Sequence, residues 1–100
     1  MKKLLLLLVF SSISLLAFDG AKMYKSCVVC HGKQGELVAV KTSPKLASLS
    51  QEDLASKLRS IQDGSTTLSK NFLHMHKIKL KNLDENGMQK FAKYIVTLRQ

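Results

Sequence analysis

Apolar residues near the end of the chain repeat at the i, i+3, i+4 spacing of one helix face. They are Met88, Phe91, Ala92, Ile95 and Leu98. Asp84 precedes them, and its short polar side chain is of the type that caps helix N-termini. The pattern therefore predicts a closing helix whose apolar face is turned toward a core.

A second helix is predicted to begin after Ser50. Ser50 is a good N-cap, and the acidic Glu52 and Asp53 stand in the turn that follows, as is usual in a first helical turn. Leu54, Leu58 and Ile61 then share one face at helical spacing. Gly64 is expected to end this helix.

A shorter helix is predicted ahead of the two cysteines. Asp19 and Gly20 are suited to begin it, and it is expected to run past Tyr24 as far as the cysteines. Gly32 and Gly35 follow within a few residues and should break it.

The segments between these helices have weaker patterns. Residues 32–49 are expected to form a loop in which Pro44 fixes a turn. Residues 64–82 are mixed in polarity, so Met75 is expected in a loop before the last helix. No run of alternating polar and apolar residues predicts a strand, and the expected fold class is all-α.

The N-terminal residues have the organisation of a secretory signal peptide. Lys2 and Lys3 precede an apolar run that ends near Ala17, where cleavage is expected. The alternative is an uncleaved anchor, but Leu4 to Phe18 is only 15 residues and contains serines, whereas a span needs about 20 apolar residues. We therefore expect a signal peptide at 1–17, one domain at 18–100 and export to the periplasm.

The expected domain is small. Removing 17 of the 100 residues leaves 83, and a chain of this size buries only about 60% of its unfolded surface. Such domains usually need disulfides, a metal or a cofactor. Two cysteines are too few for a disulfide framework, so a buried cofactor would complete the core.

The chain is strongly basic, with a formal net charge of +9. Without Lys2 and Lys3, 14 basic residues remain against 7 acidic ones, a net +7. Basic chains bind nucleic acid, membranes or acidic proteins. Export argues against nucleic acid, and the dispersed lysines indicate either a solvated surface or steering toward an acidic partner.

One motif carries specific chemistry. Cys27, Cys30 and His31 form the sequence C-x-x-C-H, which is the attachment pattern of c-type haem. The two thiols reach the two vinyl groups of one porphyrin, and the adjacent imidazole then ligates the iron. Three alternatives are a thioredoxin-like redox pair, which needs a βαβ context, a zinc site completed by the other two histidines, and a chance match.

A haem iron also needs a sixth ligand, for which the chain offers few candidates. Met23 is too close to the motif to reach the opposite face of the haem, and Met88 is expected in the core. Met75 is favoured because a thioether raises the reduction potential and suits electron transfer. His74 and His76 remain alternatives, as does an open position.

The chain resembles the small monohaem class I cytochromes c of the bacterial periplasm. The residues around Cys27-Val-Val-Cys-His-Gly resemble that family's first helix, and Phe91-Ala-Lys-Tyr94-Ile resembles its closing helix. Gly20 and Tyr24 match the pair that packs against the closing helix, where Phe91 and Tyr94 match the contact residues. The resemblance implies three to five short helices wrapped around one covalently bound haem c.

The resemblance also implies roles between the two ends of the chain. Pro44, in Ser-Pro-Lys-Leu-Ala, matches the proline whose carbonyl accepts a hydrogen bond from the proximal histidine, here His31. Met75 matches the axial methionine, although two flanking histidines are unusual. Gly87 stands in the first turn of the closing helix, where it should weaken the helix by up to about 1 kcal/mol.

The function implied is that of an electron carrier rather than an enzyme. Its iron would cycle between Fe(II) and Fe(III) in a respiratory chain, between a quinol-oxidising complex and a terminal oxidase or cytochrome c peroxidase. We expect a monomer that has acidic redox partners, binds no nucleic acid and does not remain inserted in the membrane. The alternatives are a haem-based sensor with a labile or histidine sixth ligand, a small peroxidase and a thiol-disulfide protein.

Overall fold

The computed structural model describes residues 19–40 and 43–99. The predicted signal peptide at 1–17 lies outside these residues, so its cleavage stays a prediction. None of the helices in the described part is both long enough and apolar enough to cross a membrane.

The described residues form five α-helical segments and two 3₁₀ turns. The helices are α1 (Gly20–Tyr24), α2 (Val28–His31), α3 (Gln51–Asp63), α4 (Lys70–Leu80) and α5 (Glu85–Thr97). The 3₁₀ turn Lys25–Cys27 joins α1 to α2 in one continuous stretch, and the turn Leu46–Ser48 precedes α3. The described ranges contain no strand, and the predicted all-α class is confirmed.

The predicted helix ends are confirmed by hydrogen bonds. At each predicted N-cap a side-chain oxygen accepts the backbone N–H three residues later, over 3.0 Å at Asp19 and Ser50 and 2.7 Å at Asp84. Gly64 ends α3 in the left-handed conformation, with φ of +80°. Each cap supplies a partner for an N–H that the helix leaves unpaired.

The loop predicted around Met75 was wrong, because residues 70–80 form the helix α4. This segment lacks glycine and proline and is rich in residues of high helix propensity. Its pattern looked mixed because Leu73 and Leu80 pack on the core while Phe72 and Ile78 are exposed on other faces. Apolar residues on several faces remove the periodicity on which the prediction depended.

The core forms where α3 and α5 pack together and α1 crosses α5. Leu54, Leu58 and Ile61 of α3 are buried, as predicted, and so are Met88 and Phe91 of α5. The burial of Met88, 5% exposed, confirms its expected place in the core. Two of the predicted helices thus supply most of the apolar surface on which the others pack.

The crossing of α1 and α5 depends on a glycine. A Cβ built on Gly20 would lie 2.5 Å from Cγ of Tyr94, well inside van der Waals contact. Tyr24 packs one turn further along α1, with its ring centroid 6.4 Å from that of Tyr94. The absence of a side chain at Gly20 therefore lets the two helices approach closely.

The segment between α2 and α3 is hydrogen-bonded to the turn after α2 and to Arg99. Ala47 N–H donates to the carbonyl of Gly35 over 2.8 Å. Nη1 of Arg99, near the chain end, donates to the carbonyls of Ala47 (2.6 Å) and Leu49 (2.8 Å). These contacts fix the segment that follows Pro44 against both the haem motif and the end of α5.

Candidate haem-binding site

The attachment motif lies on the continuous helical stretch that begins at Gly20. Cys27 ends the 3₁₀ turn, and Cys30 and His31 are the last residues of α2. Both cysteines are free thiols, with Cys27 half-buried and Cys30 exposed. Between them Val29 is 86% exposed. Two thiols one helical turn apart, beside a histidine, are the groups that would hold a porphyrin by covalent attachment.

His31 has an orphaned nitrogen. Its Nδ1 is buried and has no hydrogen-bond partner among the described residues. Burial lowers the pKa of the imidazole, and the nearby His76 lowers it further. A neutral imidazole keeps a lone pair for a metal ion, so the surroundings of His31 suit the role of an axial ligand.

The thiol of Cys27 is not activated as a nucleophile. Burial raises its pKa, while a hydrogen bond with Ser26 and the charge of Lys79 act in the opposite direction. Reactive redox cysteines usually have a lowered pKa. The raised pKa of Cys27 therefore argues against a role in thiol-disulfide exchange.

The turn after His31 is fixed by Tyr24 and Gly32. Gly32 caps α2 with φ of +86°, and its N–H donates to the carbonyl of Val28 over 2.8 Å. The hydroxyl of Tyr24 donates to the carbonyl of Gly32 over 2.6 Å in the interior, and burial raises the pKa of Tyr24 to about 12. These bonds hold the backbone next to His31 in one conformation.

The candidates for the sixth ligand all lie on α4, but they face different directions. Met75 and His76 are half-buried, whereas His74 is exposed. Met75 does not pack against the hydrophobic core cluster of the described residues. The ring of His76 lies near that of His31, with 6.3 Å between their centroids and 68° between their planes.

Pro44 does not make the contact predicted for it. It is exposed, and the orphaned Nδ1 of His31 has no partner in the described part of the chain. The neighbouring Ser43 instead turns back on Val40, whose N–H and carbonyl both bond with the Ser43 hydroxyl over 3.1 Å. In this structure the backbone beside Pro44 follows that local turn, and the role of Pro44 stays a prediction.

The zinc ligand set that the sequence left open is not assembled. Within residues 19–40 and 43–99, no three His, Cys, Asp or Glu side chains come together in a way that could hold a metal ion. The β-strands of a thioredoxin-like context are likewise missing from these ranges. The motif keeps the geometry of haem attachment.

A comparison with protein families agrees with this geometry, because a model of cytochrome c matches residues 17–99. The chain belongs to the cytochrome c family. It is also similar to cytochrome c-553 of Nitratidesulfovibrio vulgaris (strain DSM 19637 / Miyazaki F), with 38% identity over 58 residues. The matched stretch covers 58% of this chain and 57% of that protein.

Membership of the family confirms the predicted resemblance, the class I cytochrome c fold and the cofactor, a covalently bound haem c with its iron. Cys27 and Cys30 have the spacing that this cofactor requires. The assignments of His31, Met75 and Pro44 to particular roles stay predictions.

Sequence reasoning treated His74 and His76 as equivalent, and the structure separates them. Residues two apart on a helix lie about 200° apart around its axis, so only one of the pair can face a given neighbour. The spacing of His74 and His76 separates them only if the segment is a helix, and the sequence predicted a loop here.

The contacts of Arg99 had no sequence signal, since they join residues 50 or more positions apart.

Proposed function

We propose that the protein is a periplasmic one-electron carrier. Its cofactor is held by thioethers to Cys27 and Cys30, and its iron is ligated by His31 and Met75. The observation that carries the proposal is the placement of both cysteines and His31 within one helical turn of a cytochrome c fold. The haem supplies the reversible Fe(II)/Fe(III) couple, and the chain around it transforms no substrate.

The residues around the motif would hold the cofactor in a fixed position. Thioether bonds, unlike disulfides, are not broken by thiol exchange, so the group is retained outside the cell. The hydrogen bond from Tyr24 to Gly32 and the left-handed Gly32 hold the backbone beside His31. A rigid ligand frame keeps the structural change on electron transfer small, which is the property that a carrier needs.

Met75 is proposed as the sixth ligand because of its place on α4. It is half-buried on the helix that brings His76 to His31, and it lies outside the hydrophobic core cluster. A thioether sulfur at this position raises the reduction potential. His31 Nδ1 has no partner within the part of the chain that the structure describes, and we propose that it donates to the Pro44 carbonyl once haem is bound, since a ligating histidine usually donates its second N–H to a carbonyl or carboxylate.

The proposed partners are redox proteins with acidic docking surfaces, a quinol-oxidising complex as donor and a terminal oxidase or cytochrome c peroxidase as acceptor. Lys79 supports this, because its charge acts on Cys27 at the attachment site. Lys25 and Lys33 are exposed near the motif as well. Lys77 instead lies near the end of α3, where its charge acts on Asp63.

The test is an optical spectrum of the protein purified from a host with haem-attachment machinery, in both oxidation states. A c-type spectrum with a far-red sulfur-to-iron band, lost in Met75→Ala, is the expected result. No covalently bound haem would contradict the proposal. Haem without that band, together with carbon monoxide binding near neutral pH, would favour a sensor over a carrier.

A further inference from the structure

His76 has a feature that the assignment of Met75 does not use. Its ring is half-buried and lies 6.3 Å, centroid to centroid, from the ring of His31. Imidazole nitrogens bind a metal such as zinc at about 2 Å, so two rings on opposite sides of one metal ion have centres roughly 6 Å apart. The observed separation is therefore close to that of two axial imidazoles.

The hydrogen bond made by His76 leaves its Nε2 free to bind a metal ion. Its Nδ1 lies 2.7 Å from the carbonyl of Phe72, one turn earlier on α4. A carbonyl can only accept, so Nδ1 carries the proton and Nε2 of the neutral ring keeps its lone pair. This is the arrangement of a metal-ligating histidine, whose second ring nitrogen is fixed by a carbonyl or carboxylate.

The other two candidate ligands on α4, His74 and Met75, differ from His76 in position. His74 is exposed and lies about 200° away around the helix. Met75 is half-buried and lies about 100° away around the helix, so Met75 and His76 face different directions on α4. Leu80 is buried and Leu73 packs on the core cluster, and these contacts hold α4 in the orientation that brings His76 to His31.

We propose that His76 is a second axial-ligand donor, whose Nε2 binds the haem iron in the sixth position whenever Met75 does not hold it. The inference rests on the proposed function, because it requires a haem ligated by His31. A single coordinate bond from nitrogen replaces one from sulfur, and no electron is transferred. Imidazole ligation lowers the reduction potential relative to thioether ligation. The two ligands on α4 would therefore give the iron two different reduction potentials.

The test uses haem-loaded protein in which the thioether is removed. In Met75→Leu the ferric iron is expected to stay six-coordinate and low-spin, with a bis-imidazole electron paramagnetic resonance signal and a lowered potential. In Met75→Leu/His76→Gln it should become high-spin, and the reduced protein should bind carbon monoxide. Met75→Leu/His74→Gln is the matched control, because it removes the exposed histidine, and it should behave as Met75→Leu.

Two results would overturn the inference: high-spin iron in Met75→Leu, or low-spin iron that persists when His76 is also replaced. Far-UV circular dichroism establishes that each variant is folded. If a protein carrying Met75→Leu does not fold, Met75→Gln takes its place, alone and combined with His76→Gln or His74→Gln. Failure of the wild-type protein to acquire covalent haem would instead contradict the proposed function. The two failures are thus told apart by the wild-type spectrum.

Discussion

Tyr24 links the core to Gly32, the residue that follows His31. Its side chain is 3% exposed, and its hydroxyl donates to the Gly32 carbonyl over 2.6 Å. Removing one partner of a buried hydrogen bond leaves the other unpaired, which costs more than the bond itself contributes. A single side chain therefore connects the packing of α1 to the position of His31.

Tyr24→Phe is expected to lower the free energy of unfolding by about 1–3 kcal/mol, because the Gly32 carbonyl loses its buried donor. Guanidinium denaturation of the haem-loaded protein, followed by circular dichroism, measures the change. Tyr94→Phe is the matched control, since it removes a hydroxyl from the ring that packs against Tyr24. Equal losses in the two variants would mean that the bond to Gly32 has no special weight.

At the scale of the elements, the fold depends on how closely α1 and α5 approach. The contact is made by Gly20 against the ring of Tyr94, with Tyr24 one turn away. The small residue on one helix and the aromatic residue on the other are complementary in shape. This crossing sets the position of the helical stretch that carries both cysteines.

Gly20→Ala is expected to destabilise the protein by about 1–3 kcal/mol, the usual cost of overpacking. The added Cβ would lie 2.5 Å from Cγ and 2.9 Å from Cβ of Tyr94, and atoms so near the backbone cannot move aside easily. Ala21→Ser at the exposed neighbouring position should change stability by less than about 0.5 kcal/mol. Thermal unfolding of the three haem-loaded proteins makes the comparison, and an unchanged midpoint in Gly20→Ala would refute the close approach.

An ion pair joins α3 to α5. Nε and Nη2 of Arg59 donate to the two carboxylate oxygens of Glu85, both over 2.7 Å. These bonds, with a weaker one from Gln89, lower the pKa of Glu85 from 4.5 to about 2. Because the pair is exposed to solvent, its contribution to stability is screened and small.

The lowered pKa of Glu85 predicts how the coupling between Arg59 and Glu85 depends on pH. The stabilisation is fully present above the unfolded value of 4.5 and is lost as the pH falls through 4.5 toward 2. A double-mutant cycle with Arg59→Gln and Glu85→Gln should therefore give a favourable coupling well above pH 4.5 that disappears near pH 2. A coupling of the same size at both pH values would contradict the assignment.

At the scale of the whole molecule, charge is distributed unevenly relative to the motif. The chain carries a formal net charge of +9. Lys79 acts on Cys27, while Nζ of Lys77 lies 3.9 Å from where a Cβ on Gly64 would be. Two lysines on the same helix thus face the attachment site and the end of α3, respectively.

This difference predicts how the reduced protein reacts with a charged oxidant. Oxidation by ferricyanide, an anion, should slow as salt rises, since the Debye length falls to about 10 Å at 0.1 M ionic strength. Lys79→Gln should slow the reaction more than Lys77→Gln, although both variants lose one charge. Stopped-flow rates measure this, and equal effects would place the site of electron exit away from Lys79.

Much of this organisation could be predicted from the sequence because it is local. Helix caps at Asp19, Ser50 and Asp84 depend on residues three positions away, and the apolar faces of α3 and α5 follow from helical spacing. The haem motif depends on one helical turn. Helix α4 was missed because Phe72 and Ile78 are apolar yet exposed, which obscured the face formed by Leu73 and Leu80.

The sequence by itself therefore determined the helices with one-sided patterns and the covalent attachment site, since both follow from spacing along a few turns of chain. Only the tertiary structure decided which side of α4 faces His31. That rotation is fixed by the packing of Leu73 and Leu80 on residues far away in sequence, and it brings His76 rather than His74 to the site. Neighbours in sequence share a helix, but contacts across the core decide which of them lies near His31.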